Sequence, residues 1–312
     1  MWHRGFTWTK SDSRMSHPSG QGVRYDSRAL ERGDEKAAVK AVRPKFDRPP
    51  LIEQAITVVF DELAGFSIGD FGRFWARVED EFPDCAQAAP LPTATEQLGG
   101  IPVQHEVHLV FAGAESMPRC LLRHPSSGEA LQIQTNRFTF NWAKIGNAPY
   151  PHSEQTVARF ERLFRIFEEY VASRNLGPIN ILQCEITNVN IVPESDFGQS
   201  FADAPRAFHV PAYAPESDIL RLENYMGTIQ YLIVLHDDPQ GRLHVALSPV
   251  LSNRDRTRAY KLELTARSGR AIEGTGFDNV LSFFDAARTA INAAFLAHTN
   301  PEMWVKWGRR DG

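Results

Sequence analysis

Only three cysteines occur in the 312 residues, Cys85, Cys120 and Cys184, and no two of them form a C-x-x-C pair. That scarcity removes the usual dithiol and zinc signals. The three are read as reduced thiols that behave as small hydrophobes. No run approaches the roughly 18 consecutive apolar residues of a membrane helix, so a membrane is not among the expected partners. The first residues are polar and lack an apolar signal-peptide stretch, so the expected location is the cytosol. Also missing are an H-E-x-x-H pair, a G-x-S-x-G elbow and a Walker loop. Their absence removes the commonest sequence routes to metalloprotease, serine-hydrolase and nucleotide chemistry. No catalytic residue, cofactor or metal site is expected.

What is there points to a folded body. Hydrophobic residues make up 42% and aromatics 11% of the chain, enough for a sizeable core. Charge is unevenly placed: residues 1–48 hold 11 Lys/Arg and 6 Asp/Glu, a net of +5. The rest holds 34 − 11 = 23 basic and 38 − 6 = 32 acidic residues, a net of −9. An acidic body argues against nucleic acid as its partner. Residues 1–48, rich in Ser, Gly, Arg and Lys, read as a disordered basic tail with a short helix near 35–42. Residues 49–312 read as one α+β body.

Within that body the periods alternate between 2 and 3.6. A strand is expected at 52–60. A helix follows, capped by Ser67 with Asp70 three residues on, and carries Phe71, Trp75, Val78 and Phe82 to its stop at Pro83. Strands are expected at 103–112, 119–124 and 130–142, then a helix over 153–175 with the stripe Val157, Phe160, Phe164, Phe167 and Val171. The order then repeats: a strand at 179–192, a helical candidate within 216–226, strands at 228–236, 242–250 and 259–267, and a helix at 277–298 capped by Thr275. Two β-α-β-β-β-α halves, 49–177 and 178–312, predict a largely antiparallel sheet with helices on one face. The alternative is a helix-grip, one sheet curled round a long C-terminal helix.

The stretch "LQIQTNRFTFNW" at 131–142 changes character halfway. As one ideal strand, each face switches between apolar and polar near Thr135–Asn136, which calls for a bulge or a change of packing environment. Two readings stand. In one, a bulge feeds Phe138, Phe140 and Trp142 under a helix. In the other, Arg137, Asn141 and Trp142 line a cleft together with Asn188, which lies on the apolar face of the strand at 179–192. Asn141, just before the "NAPYP" loop, is also a candidate to pin that loop by a hydrogen bond. Near the C-terminus, Trp304 and Trp307 stand at i, i+3 among Lys306, Arg309 and Arg310; exposed, they would make a protein-binding anchor. "HEVH" at 105–108 puts only Glu106 and His108 on one strand face, too few for a metal. "EGTGFDN" at 273–279 reads as a helix cap rather than a phosphate cradle.

Taken together, "PLIEQAITVVF", "LQIQTNRFTFNW", "YP" before an aromatic-striped helix, and "WVKWG" near the end resemble a family of uncharacterised bacterial proteins, sporadically distributed among genomes. The resemblance covers about 49–310. It implies no established activity; the patchy distribution implies an accessory role, such as a toxin–antitoxin pair or defence against phage. The expected function is that of a non-enzymatic cytosolic protein that binds another protein. The alternative is a small-ligand binder or enzyme with a cavity between sheet and helices.

Overall fold

The computed structural model describes residues 44–92, 96–98, 117–146, 150–211, 219–235, 238–252, 255–269 and 276–310. In chain order these form β1 (Lys45–Phe46), β2 (Leu51–Phe60), α1 (Ile68–Trp75), β3 (Asp84–Ala88), β4 (Arg119–Arg123), β5 (Glu129–Gln134), β6 (Arg137–Ala143) and α2 (Ser153–Ser173). The second half comprises β7 (Ile181–Pro193), the short α3 (Glu194–Phe197), a 3-10 turn at Phe201–Arg206, β8 (Gly227–Leu235), β9 (Asp238–Leu251), β10 (Arg258–Ser268) and α4 (Phe277–His298). After these come α5 (Pro301–Lys306) and β11 (Arg309–Arg310).

Among the described residues, nine strands form one antiparallel sheet in the order β3-β4-β5-β6-β2-β7-β10-β9-β8. Each half closes on itself. Its opening strand pairs with its last, β2 with β6 and β7 with β10, and the two openers join at the centre. The fold is α+β, with α2 and α4 side by side on one face rather than one helix gripped by a curled sheet. Their contact is aromatic: Phe160 and Phe164 of α2 stack on Phe277 of α4 at 6.4 and 5.1 Å.

The local reasons are those of the sequence. Ser67 and Asp70 form the capping box of α1, and Tyr170 and Arg174 complete the shell around the buried Asp70 carboxylate. Burial alone would raise that acid, but the Ser67, Tyr170 and Arg174 hydrogen bonds outweigh it and hold it far below the usual carboxylate range. The α-helix ends at Trp75, and i→i+3 turns carry the chain on to the buried Phe82. Helix α4 starts on Gly276 without a side-chain cap, not on Thr275, which lies outside the described residues. By length and composition α4 could cross a membrane; here Val280, Phe284, Ala287 and Ile291 are buried in the core beneath it.

Four expectations change. The strand at 130–142 is a hairpin: β5 and β6 pair Gln134 with Arg137, and Thr135–Asn136 is its turn. A two-residue turn folds the pattern back, so Leu131 faces Phe140 and Ile133 faces Phe138, all beneath the helices. No bulge is needed. The turn carbonyls accept from Phe60 and Leu63 at 3.0 Å, so β2 holds the turn closed. Second, residues 219–226 are irregular rather than helical. Ile219, Leu220, Leu222 and Met226 are exposed, Ile219 by 90%, while Tyr225 packs against the core. Third, β9 already begins at Asp238, ahead of the strand expected at 242–250. Fourth, Lys45–Phe46 belongs to the body: β1 pairs with β11, and Phe46 packs on Phe295 and Trp307. Residues 1–43, the strand expected at 103–112 and the "HEVH" segment lie outside the described residues.

Candidate functional site

The sheet separates the residues expected to share a cleft. On β6, Arg137 and Asn141 point away from the helices while Phe138, Phe140 and Trp142 point toward them, because successive strand residues alternate. Asn188 of β7 pairs with Gln54, and both lie on the helix side. Trp142 is therefore on Asn188's face, and Arg137 and Asn141 are on the other.

On the helix-free face Asn141 is buried. It accepts from Gln132 Nε2 at 2.6 Å and donates to Glu53 at 3.0 Å. It cross-links three strands; the loop it was expected to pin, at 147–149, lies outside the described residues. Asn141→Ala should cost about 1–3 kcal/mol, since it strands Gln132 and Glu53; a denaturant midpoint within error of the parent would count against this placement.

Arg137 is half-buried rather than solvated. A polar strap, described at 89–92 and 96–98, lies on the same face, and Arg137 Nη2 donates to the Pro92 carbonyl at 3.1 Å. Gln134 holds Leu91 by both its backbone groups, at 2.8 and 3.2 Å. At the far end Glu96 is buried. It accepts from Arg242, from His244 Nε2 at 2.8 Å, and stands 3.6 Å from Arg267. Its own N–H donates to Gln183 at 2.6 Å. Burial opposes ionisation there, but the His244 bond and the charges of His244, Arg242 and Arg267 prevail and hold Glu96 below the usual glutamate range. Sequence reasoning missed Glu96, which sits in a polar loop without period or motif.

On the helix side a cleft of about 110 Å³ lies where the two halves meet, between α2, α4 and the segment that leads into β2. Gln54, Asn188, Asn190, Tyr150 and Arg288 converge on it. Gln54 donates to Asn188 at 2.8 Å and accepts from Thr156; Asn190 donates to the Leu262 carbonyl at 3.2 Å. Tyr150 packs edge-on against Trp142 at 5.2 Å, and burial pushes its hydroxyl up to about 12 against hydrogen bonds with Ser153, Gln54 and Thr156. His152, which joins Tyr150 to α2, holds φ 50° and ψ 140°, a region that costs a side-chain-bearing residue on the order of 1–3 kcal/mol. Of the expected cleft residues, Asn188 lines this one and Trp142 backs its wall.

The third feature is the sheet edge. Among the described residues strand β8 pairs only with β9, and its nine residues, "GTIQYLIVL", carry no charge and no proline. Ile229, Tyr231, Leu232 and Val234 are all exposed, as are Leu220, Leu222 and Met226 just before them. Beside the strand an apolar groove of about 230 Å³ is lined by Phe208, Tyr225, Met226, Ile229, Val245 and Leu247.

Neither C-terminal tryptophan is presented to solvent as an anchor. Trp307 is buried on Phe46 and Phe295 and donates to Asp196 at 3.2 Å. Trp304 donates to Thr299 at 2.8 Å beneath the Arg309 guanidinium. Among the described residues no group of three His, Cys, Asp or Glu side chains is placed to hold a metal ion. No protein-family model, curated protein or solved structure matches the chain, so the site is read from its own geometry.

Proposed function

We propose that this is a non-enzymatic binding protein that captures another protein by adding a strand of that partner to β8. The observation that carries the reading is an edge open among the described residues: nine uncharged residues, with exposed apolar side chains on both faces and a single ladder partner. Natural sheets blunt such edges with Lys, Pro, bulges or a covering segment. Among the described residues β8 has only a register shift between Ile233 and Val234, near its end. An added strand would satisfy the outward N–H and C=O groups, while the neighbouring groove would receive an apolar side chain and set specificity.

Nucleic acid fits this edge poorly, because recognition of phosphate needs a basic surface and the edge has no charge at all. The cytosolic bacterial setting and the accessory role, in a toxin–antitoxin pair or in phage defence, belong to the same proposal and rest on the motif resemblance alone.

The test is a comparison of the parent with Leu232→Lys/Val234→Lys. Surface changes of this kind should alter stability by only about 0.5 kcal/mol each. Co-purification from the native host, followed by mass spectrometry, should return a protein with the parent and lose it with the variant. Hydrogen exchange should slow along 227–235 when that protein is bound. Retention of the same protein by the variant would refute capture at this edge.

A further inference from the structure

Strand capture at β8 makes no use of the central cleft, whose chemistry differs from that of the edge. Its apolar lining comes from Leu51, Ile186, Leu264, Ile291 and Phe295. The amides of Gln54 and Asn188 lie in the same sheet floor, Asn188 directly across from Leu264, and the Tyr150 hydroxyl joins them. The charges around the cleft are unequal. Lys45 and Arg288 line it against one carboxylate, Glu154, and the two cations differ in placement: Lys45 stands exposed at the mouth, whereas Arg288 is only 8% exposed.

Arg288 matters most. Its Nη2 reaches Glu154 at 2.7 Å, its Nη1 lies 3.8 Å from Asp285, and its Nε donates to Ser153 Oγ at 3.1 Å. Both acids are 64% exposed. A carboxylate in water offsets little of a buried cation's desolvation, because its field is screened. A guanidinium in that position is compensated better by an anion that enters the cleft and leaves water with it. An apolar lining, convergent neutral donors and a buried arginine together describe a site for a small molecule with a carboxylate head and a short apolar body.

We infer that the cleft binds a small organic carboxylate, with Arg288 receiving the carboxylate and the lining of Leu51, Ile186 and Leu264 receiving the body. Its volume of about 110 Å³ suits a short aliphatic chain better than a ring, since an apolar cavity of about 150 Å³ accommodates benzene. Gln54 and Asn188, already bonded to each other, set the orientation of the polar end. Tyr150 stays protonated at neutral pH, so it can donate to the anion without adding a competing negative charge.

The probes are sodium benzoate and the straight-chain carboxylates from acetate to octanoate, each matched with its neutral amide. Binding to the full chain would be followed by calorimetry and by hydrogen exchange over 44–54 and 150–156. At least one carboxylate should bind and protect both segments, and its amide should bind at least tenfold more weakly. Arg288→Lys should weaken the carboxylate at least tenfold and leave amide binding unchanged. Asn188→Asp, which keeps the shape and adds a negative charge, should do the same and serves if the arginine variant unfolds. Failure of every carboxylate to bind would overturn the inference. So would equal affinity for acids and amides, or binding that survives Asn188→Asp. Neither outcome bears on β8, whose lysine variants retain the cleft intact.

Discussion

Phe164→Ala should lower the stability of the protein by about 3–5 kcal/mol, the range for emptying a fully buried aromatic position. Phe164 has no exposed surface, and its ring stacks on Phe160 at 5.7 Å and Phe277 at 5.1 Å and meets Phe138 at 5.5 Å. It therefore touches both long helices and the sheet at once. Removing it opens a void that no single element can close by shifting, since each is held by the other two. The measurement is the chemical denaturation midpoint at constant slope. A loss under about 1 kcal/mol would mean that α2 presents another face to the sheet.

Glu96→Ala should be the second most damaging change, toward about 3 kcal/mol. Removing one member of a buried ion pair strands the other, at a cost of roughly 3–5 kcal/mol. The lower end applies because His244 and Arg267 already reach water, with 27% and 22% of their side chains exposed. Two readouts separate this from a general loss of stability. Hydrogen exchange at 96–98 should rise before that of the sheet, and acid sensitivity should change. Folding holds the Glu96 carboxyl below its ordinary value. Its contribution is thus complete above the unfolded glutamate range, near 4.3, and is lost as pH falls through the folded value. The parent should lose stability across that acid window more steeply than the variant. Parallel pH profiles would show that Glu96 is not the group that titrates.

Much of the architecture is legible in the residues. Ser67 with Asp70, the stripe from Phe160 to Val171, and the start of α4 at Phe277 are local signals, and local chemistry decides them. The hairpin at Thr135–Asn136 hides because its turn carries neither glycine nor proline, and an unbroken run of strand-forming residues reads as one strand. The face swap was the true signal: a pattern that inverts about its midpoint is what a two-residue turn produces. The charged layer under the strap was illegible for a different reason. Glu96 meets Arg242 and His244 about 146 to 148 positions later, and no period connects them. β8 misleads in the opposite direction. Apolar on both faces, it reads as a strand buried on both sides, yet it forms the edge, and only the strand order reveals that.

The short ladder between β1 and β11 changes how the chain can be regarded. Lys45 is hydrogen-bonded to the strand that holds Arg310, and Asp47 is ion-paired with that arginine. The body is therefore a ring in all but one bond, and the position of the break is incidental to the packing. A short glycine-rich link from 310 to 44, with new ends opened at the surface turn around Ser127 between β4 and β5, would keep every strand pairing of the nine-stranded sheet. It would also fold in a different order. The half that holds β7 to β10 would then lie between two pieces of the other half, and β2 would be made after β7 rather than before it.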